Sequence, residues 1–440
     1  MSLMARHKKR ETRTYLWFHD ILRALLAPLL VWFYRLKTEN LAVFRRIRPP
    51  YLVIPNHVMT WDPVIASCFV REPIHFVASD ANFRSSFFSF WLRRVGAIAK
   101  SKLMDDFGTL RTIMRFLRDG KVVGLYAEGQ RTWDGRTQPI IPSTAKLVKA
   151  ARVPVIVPVM KGAYLSLPRW AFRSRRGSII IDYRLALTRE EVERMDVEAI
   201  QERIESVMHH DEDAYQREAQ IPYTHARAAE PLQLLLFTCP SCSGLNTMKS
   251  ERRRFFCTRC GYSVRYSIYG HFTPDRSSGS SGPASVVHRT ISDWSDAQTG
   301  FLHGYLAKLF EENDSEPIFA DEGVLLSTGY RMAKPHRIGL GRLELHLEGL
   351  QLSIPGQAER FFRWSEIRAL NVVYQDQIEF YYRRRLIVLE FPSHDTSGYK
   401  YLLCGETLAK LSLGRREDVI DPRASAPRDG EPNDREPGLD

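Results

Sequence analysis

His57 and Asp62 stand five positions apart in Pro55-Asn56-His57-Val58-Met59-Thr60-Trp61-Asp62-Pro63, just past the apolar run Tyr51 to Ile54. On a continuous helix such positions point about 140° apart and their side chains do not meet. Across a loop they can. A carboxylate on one imidazole nitrogen fixes the tautomer and stabilises the imidazolium that forms when the other nitrogen takes a proton. That is the chemistry of a general base, and a general base needs a hydroxyl to activate. No G-x-S-x-G nucleophile motif occurs in the chain, so the hydroxyl would belong to the substrate. Asp62 before Pro63 is also a good helix start, so a plain helix cap stays open as the reading of the pair alone.

A second group of polar residues follows another apolar run. Val122 to Tyr126 ends in Ala127-Glu128-Gly129-Gln130-Arg131-Thr132, where a turn glycine delivers a carboxylate and a guanidinium to a strand exit. Ligands of open α/β sheets bind outside the carboxyl ends of strands, where His57 also falls. Arg131 is suited to two-point contact with a phosphate or carboxylate. Between the two groups lies Gly96-Ala97-Ile98-Ala99-Lys100-Ser101-Lys102, whose lysines read equally as a solvated face.

The elements that must position these residues are those of an α/β domain. Short apolar runs at Tyr51–Ile54, Val122–Tyr126 and Val155–Val159 alternate with longer helical stretches and read as buried parallel strands. Thr188 with Glu191 resembles a capping box opening a helix to about Met208. The expected organisation is a basic, amphipathic N-terminal helix over 1–40 and the α/β domain, a mixed sheet flanked by helices, over 41–230. A cysteine module follows over 231–271, a flexible linker over 272–292, a small antiparallel β domain over 293–414 and a disordered tail over 415–440. Within the β domain a helix is expected over Thr407–Leu413.

The 440 residues carry a formal net charge of +12, which points to an anionic partner. Residues 1–50 hold 11 of the bases against 3 acids. The charge-free apolar stretch Ala24–Tyr34 is roughly half of what a spanning helix needs. It reads as an in-plane helix with a basic collar drawn to anionic headgroups, or as an amphipathic helix packed on its own domain. Two segments that mix aromatics with bases, Phe83–Arg94 and Pro168–Arg176, suit the same headgroup interface; the first reads equally as a buried amphipathic helix, whereas the second, with four arginines in eight residues, is not expected in a core.

Cys239-Pro240-Ser241-Cys242 and Cys257-Thr258-Arg259-Cys260 form two C-x-x-C knuckles separated by fourteen residues. The spacing predicts a closed, structural Zn2+ site with four thiolate ligands, Cys239, Cys242, Cys257 and Cys260, in a zinc ribbon. Cys68 and Cys404 are lone and expected to be buried. Arg252-Arg253-Arg254 would allow nucleic-acid binding by the ribbon, although nucleic acid is not the expected partner.

Together the blocks resemble the glycerolipid acyltransferase family, the 1-acylglycerol-3-phosphate acyltransferases and their relatives. The resemblance covers about Leu41–Tyr183. His57 and Asp62 match the H-x-x-x-x-D block, Gly96–Lys102 the second, Glu128–Thr132 the E-G-x-R-[ST] block, and Val153–Val159 the proline-containing fourth. It implies that His57, held by Asp62, deprotonates a lysophospholipid hydroxyl for attack on acyl-CoA or an acyl-carrier-protein thioester. It further implies that Arg131 and Lys102 bind the acceptor phosphate, with Glu128, Gly129 and Thr132 shaping that site and Pro158 the channel. Lys102 stands where the family usually has Arg, and Ala127 where it often has Pro, which leaves the acceptor headgroup open. The β domain more faintly resembles pleckstrin-homology-like domains, with Arg383-Arg384-Arg385 as a basic patch. The expectation is a peripheral or monotopic enzyme on the cytoplasmic face of a membrane, with a protein partner through the ribbon or β domain left open. The alternative is a non-catalytic lipid-binding scaffold whose zinc ribbon binds nucleic acid or a protein partner.

Overall fold

The computed structural model describes residues 16–100, 107–275, 286–330, 333–393 and 395–417. The Ser-Ser-Gly-Ser-Ser-Gly core of the expected linker, the first bases of the N-terminal collar and the end of the tail lie outside them.

The first sheet holds β1 (Lys37–Glu39), β2 (Leu52–Val53), β3 (Ile74–Ser79), β4 (Ile98–Lys100), β5 (Val122–Gly124), β6 (Val155–Lys161) and β7 (Ile180–Leu187). Their order is β1-β7-β6-β2-β5-β3-β4, and every neighbouring pair is parallel except β6 with β7. Side chains alternate between two cores. Tyr51, Val53 and Ile156 face one side, whereas Leu52, Ile54, Val155 and Val157 face the other. Burial on both faces is why these strands read as unbroken apolar runs.

Helices α1 (Leu16–Tyr34), α2 (Asp62–Ser67), α3 (Ser86–Arg94), α4 (Phe107–Arg118), α5 (Pro142–Ala151) and α6 (Val197–Met208) flank the sheet. Ile113 and Phe116 of α4, Ala145 and Val148 of α5, and Ile200 and Ile204 of α6 cover one face. The helix expected from Thr188 to Met208 divides in two. Thr188 and Glu191 do form the capping box of Arg189–Arg194, but Met195 leaves helical backbone and Asp196 caps α6 afresh.

Over the other face lie α1, through Leu30 and Tyr34, and the cysteine module. That module is a four-stranded antiparallel sheet of β8 (Met248–Glu251), β9 (Arg254–Cys257), β10 (Ser263–Tyr266) and β11 (Phe272–Pro274). The linker expected from residue 272 therefore starts later, because Phe272 is buried against Phe255 and Trp294 while β11 pairs with β10.

Helix α7 (Ile291–Glu312) ties this module to the β domain: Ile291 and Trp294 sit in the first core, Leu302 and Leu306 in the β-domain core. The β domain comprises β12 (Phe319–Gly329), β13 (His336–Leu345), β14 (Gly349–Ser353), β15 (Arg360–Arg363), β16 (Ile367–Val373), β17 (Gln377–Tyr382) and β18 (Arg385–Glu390). They form one antiparallel sheet ordered β15-β14-β13-β12-β18-β17-β16. Helix α8 (Gly398–Glu417) closes it with Tyr401, Cys404 and Leu408, and starts nine residues before the expected Thr407. Cys404 is buried, Cys68 only half-buried.

The segment Pro168–Arg176 corrects the sequence reading. Arg169, Trp170 and Arg175 are buried, and only Phe172, Arg173 and Arg176 are exposed. The Arg175 guanidinium lies 4.8 Å from the Trp170 ring and 5.1 Å from that of Tyr266 and donates to the Leu165 and Ala228 carbonyls, so aromatic faces and carbonyls solvate it in place of water. Among the described residues no helix is long and apolar enough to cross a membrane.

Candidate active site

Helix α2 begins at Asp62, with Trp61 as its cap residue and no side-chain cap hydrogen bond. The Asp62 carboxylate instead reaches backward. It is wholly buried and accepts from the Val58 N–H at 2.6 Å, from the Met59 N–H at 3.0 Å and from His57 Nδ1 at 2.8 Å. One side chain thus shapes the loop and orients the imidazole, so His57 and Asp62 meet across the loop. With the Nδ1 hydrogen on Asp62, the ring's lone pair lies on Nε2.

His57 is about one-fifth exposed, side chain only (22%), and its ring stacks on Tyr126 at 4.1 Å. Tyr126 stacks in turn on Phe76 at 5.5 Å. Burial lowers the imidazole pKa from its ordinary value, Asp62 raises it, and the Arg131 and Arg169 charges lower it further. The net direction is downward, which keeps the ring neutral, the form a base requires. Because a base works above its pKa, the acid limb of a kcat/KM profile is expected to fall below pH 6.5. A limb above 7 in a pH–rate profile would contradict this placement of charge.

The second block is held to the first by Glu128. Its Oε1 accepts the His57 N–H and its Oε2 the Gln138 N–H, both at 2.6 Å. Burial pushes its carboxyl up to about 8, with those two donors pulling the other way. Glu128 therefore organises the loop rather than facing the His57 ring nitrogens. Gly129 turns the chain at φ 77°, and a Cβ there would lie 2.8 Å from Ile141. The Thr132 N–H donates to the His57 carbonyl at 2.9 Å, and its hydroxyl bonds Asp134. Arg131 donates to the Thr60 hydroxyl at 3.0 Å and has no ion-pair partner among the described residues, so its charge is available to an anion.

Pro158 stands in β6, where its carbonyl takes the Asn56 N–H at 3.4 Å while Asn56 Oδ1 accepts from Met160 N–H at 2.8 Å. It acts on the site through the backbone that anchors the His57 loop. Lys102 lies outside the described residues, and Lys100 is exposed at the end of β4.

Two neighbours escaped the sequence reading. Tyr126 looked like the last residue of a strand. Arg169 looked like surface, yet it is buried, stacks 4.1 Å over Trp133 and donates to the Arg131 carbonyl at 2.7 Å and to Gln130 Oε1 at 3.2 Å.

The four cysteines converge in the module of strands β8 to β11. Their sulfurs all lie within 4.8 Å of one another, with Cys239 to Cys260 at 3.6 Å and Cys242 to Cys257 at 3.8 Å. A tetrahedral Zn2+ with sulfur at about 2.3 Å puts its ligands about 3.8 Å apart, so the residues fit the ion. The ribbon arginines are partly engaged: Arg254 pairs with Asp275 at 2.9 Å and Arg253 donates to the Tyr266 carbonyl at 3.2 Å.

His57 and Glu128 thus follow the carboxyl ends of the neighbouring parallel strands β2 and β5. Residues 35–161 match the Acyltransferase family model, and the chain carries an acyltransferase-family domain there. The match spans less than a third of the chain but includes His57, Asp62, Glu128, Arg131 and Pro158. Among solved structures, one similar to it is the 1-acyl-sn-glycerophosphate (LPA) acyltransferase PlsC from Thermotoga maritima, at 15% identity and a TM-score of 0.36, over 43% of this chain and 79% of that one. Comparison with curated proteins gives no match.

Proposed function

We propose that the protein acylates a lysophospholipid at a membrane surface, taking the acyl group from acyl-CoA or an acyl-carrier protein. The observation that carries this reading is the His57 Nδ1 bond to buried Asp62, which leaves Nε2 as a neutral base beside an uncommitted Arg131. Nε2 takes the acceptor's hydroxyl proton as its oxygen attacks the thioester carbonyl. The thiolate then leaves and recovers that proton from the imidazolium, and an ester has replaced a thioester. Arg131 holds the acceptor's phosphate and Thr60 orients Arg131.

The N-terminal helix supports the membrane part of the reading. Trp17, Ile21, Leu25, Leu29 and Trp32 recur every three or four residues along α1 and are all exposed. Phe18 stacks on Trp91 at 5.5 Å, which joins this stripe to exposed Phe87, Phe88 and Phe90 of α3. Arg94 sits 4.2 Å over Phe90. Exposed apolar residues on two helices packed together, with Arg94 against Phe90, suit in-plane docking on an anionic, cytoplasmic leaflet. The ribbon, with Zn2+ on its four cysteines, is then a structural module, and the β domain a pleckstrin-homology-like one.

Acceptor range tests the proposal. With acyl-CoA as donor, wild type is expected to acylate 1-acylglycerol-3-phosphate, and Arg131→Ala to raise the KM for that acceptor at least about tenfold, the loss of a charge-assisted phosphate contact. Wild-type acylation of a phosphate-free glycolipid at the same rate as the phosphorylated acceptor would overturn the assignment of Arg131.

A further inference from the structure

The β domain does not hang free of the catalytic domain. The tip of its β16–β17 hairpin is seated on the loop that carries Arg169. The Arg169 guanidinium donates to the Val372 carbonyl at 2.7 Å from one nitrogen and to the Arg131 carbonyl at 2.7 Å from another. Gln375 Nε2 donates to the Ala171 carbonyl at 3.1 Å. Tyr399 of α8 packs on Trp133 at 4.4 Å, on whose ring Arg169 lies. One buried arginine therefore bridges the E-G-Q-R-T turn and a strand more than two hundred residues further along the chain.

Of the two residues between the pinned Val372 and Gln375, Val373 is half-buried and Tyr374 is exposed. Tyr374 takes φ 57°, a left-handed conformation that a β-branched or aromatic residue seldom adopts without cause. It is 53% exposed, and its phenol lies within electrostatic reach of the Arg131 guanidinium. Nearby, the Arg169 Nε–H is buried without a hydrogen-bond partner. A buried donor left unpaired is costly, and an anion held at Arg131 would be its natural neighbour.

We infer that the hairpin tip is the outer wall of the acceptor site and that Tyr374 reads the size of the headgroup held by Arg131. The wall admits a compact phosphomonoester and obstructs a phosphodiester that carries a further group such as choline. Arg169 is the positioning residue that sets the wall's distance from Arg131. This rests on the acyltransferase reading above, yet Arg169 and the whole β domain lie outside residues 35–161, so the device belongs to this chain's own extension.

The test uses the full chain with acyl-CoA and two acceptors, 1-acylglycerol-3-phosphate and lysophosphatidylcholine. Tyr374→Ala is expected to cut the ratio of kcat/KM values between them at least tenfold, chiefly through acceptor KM, with the KM for acyl-CoA unmoved. Tyr374→Phe keeps the ring and is expected to keep most of the preference. An unchanged ratio in Tyr374→Ala would overturn the inference while leaving the enzyme reading intact. If wild type acylates neither acceptor, the enzyme reading fails by itself. Binding of lysophosphatidylcholine then decides the wall: a tenfold tighter Kd in Tyr374→Ala supports it, and an equal Kd overturns it.

Discussion

His57→Ala is expected to lower kcat/KM for acyl transfer about a thousandfold, the middle of the range that a positioned general base supplies. The fold should survive. Removing the ring takes one partner from the Asp62 carboxylate, but the Val58 and Met59 N–H groups still pair with it, so no buried charge is stranded. What is lost besides the base is the stack on Tyr126 and one hydrogen bond, on the order of 1–2 kcal/mol. Steady-state kinetics with thermal melting on the same preparation checks both halves. A thousandfold loss together with a collapsed melting transition would assign His57 to stability instead.

The second large effect is removal of the metal. Structural Zn2+ on four thiolates is worth on the order of 10 kcal/mol in isolated modules, comparable to the whole stability of a domain. Here the module is not isolated. Phe255, Tyr262, Phe272 and Trp294 of the ribbon region share one continuous core with Tyr51, Val53 and Ile156 of the catalytic sheet. Cys239 itself is buried in that core. Cys239→Ser, or prolonged chelation, is therefore expected to lower Tm by at least about 10 °C and to take acyl transfer with it. Metal analysis by mass spectrometry should find one zinc per chain in wild type and none in the variant. A variant that melts like wild type, or a wild type that binds no zinc, would show that the four cysteines hold the module without an ion.

Much of this was legible in the sequence, and the remainder was illegible for physical reasons. His57, Asp62, Glu128 and Arg131 stand out because each follows an apolar run, and a sheet delivers the residues after its strands to one edge. Their hydrogen bonds are local in space but not in sequence: Glu128 holds the His57 backbone 71 positions away, which no spacing rule anticipates. Arg169 and Arg175 misled because base-rich runs usually face water, whereas here Trp133, Trp170, Tyr266 and carbonyl oxygens take the place of water. The Phe272–Pro274 strand was hidden by its position beside a Ser/Gly-rich stretch. The seating of Val372 and Gln375 on the Arg169 loop has no sequence signature at all, since it depends on how two separately formed cores are tied through α7.

If His57 serves to move an acyl group from a thioester to a lysophospholipid hydroxyl, the thiol and the new ester must appear together. The most direct measurement follows free CoA thiol and phosphatidic acid together, with purified full-length protein, acyl-CoA and 1-acylglycerol-3-phosphate on anionic vesicles. Wild type is expected to release thiol and form phosphatidic acid in equal molar amounts, both dependent on the acceptor and both nearly abolished in His57→Ala. Equal rates in wild type and His57→Ala, or thiol release that ignores the acceptor, would contradict it.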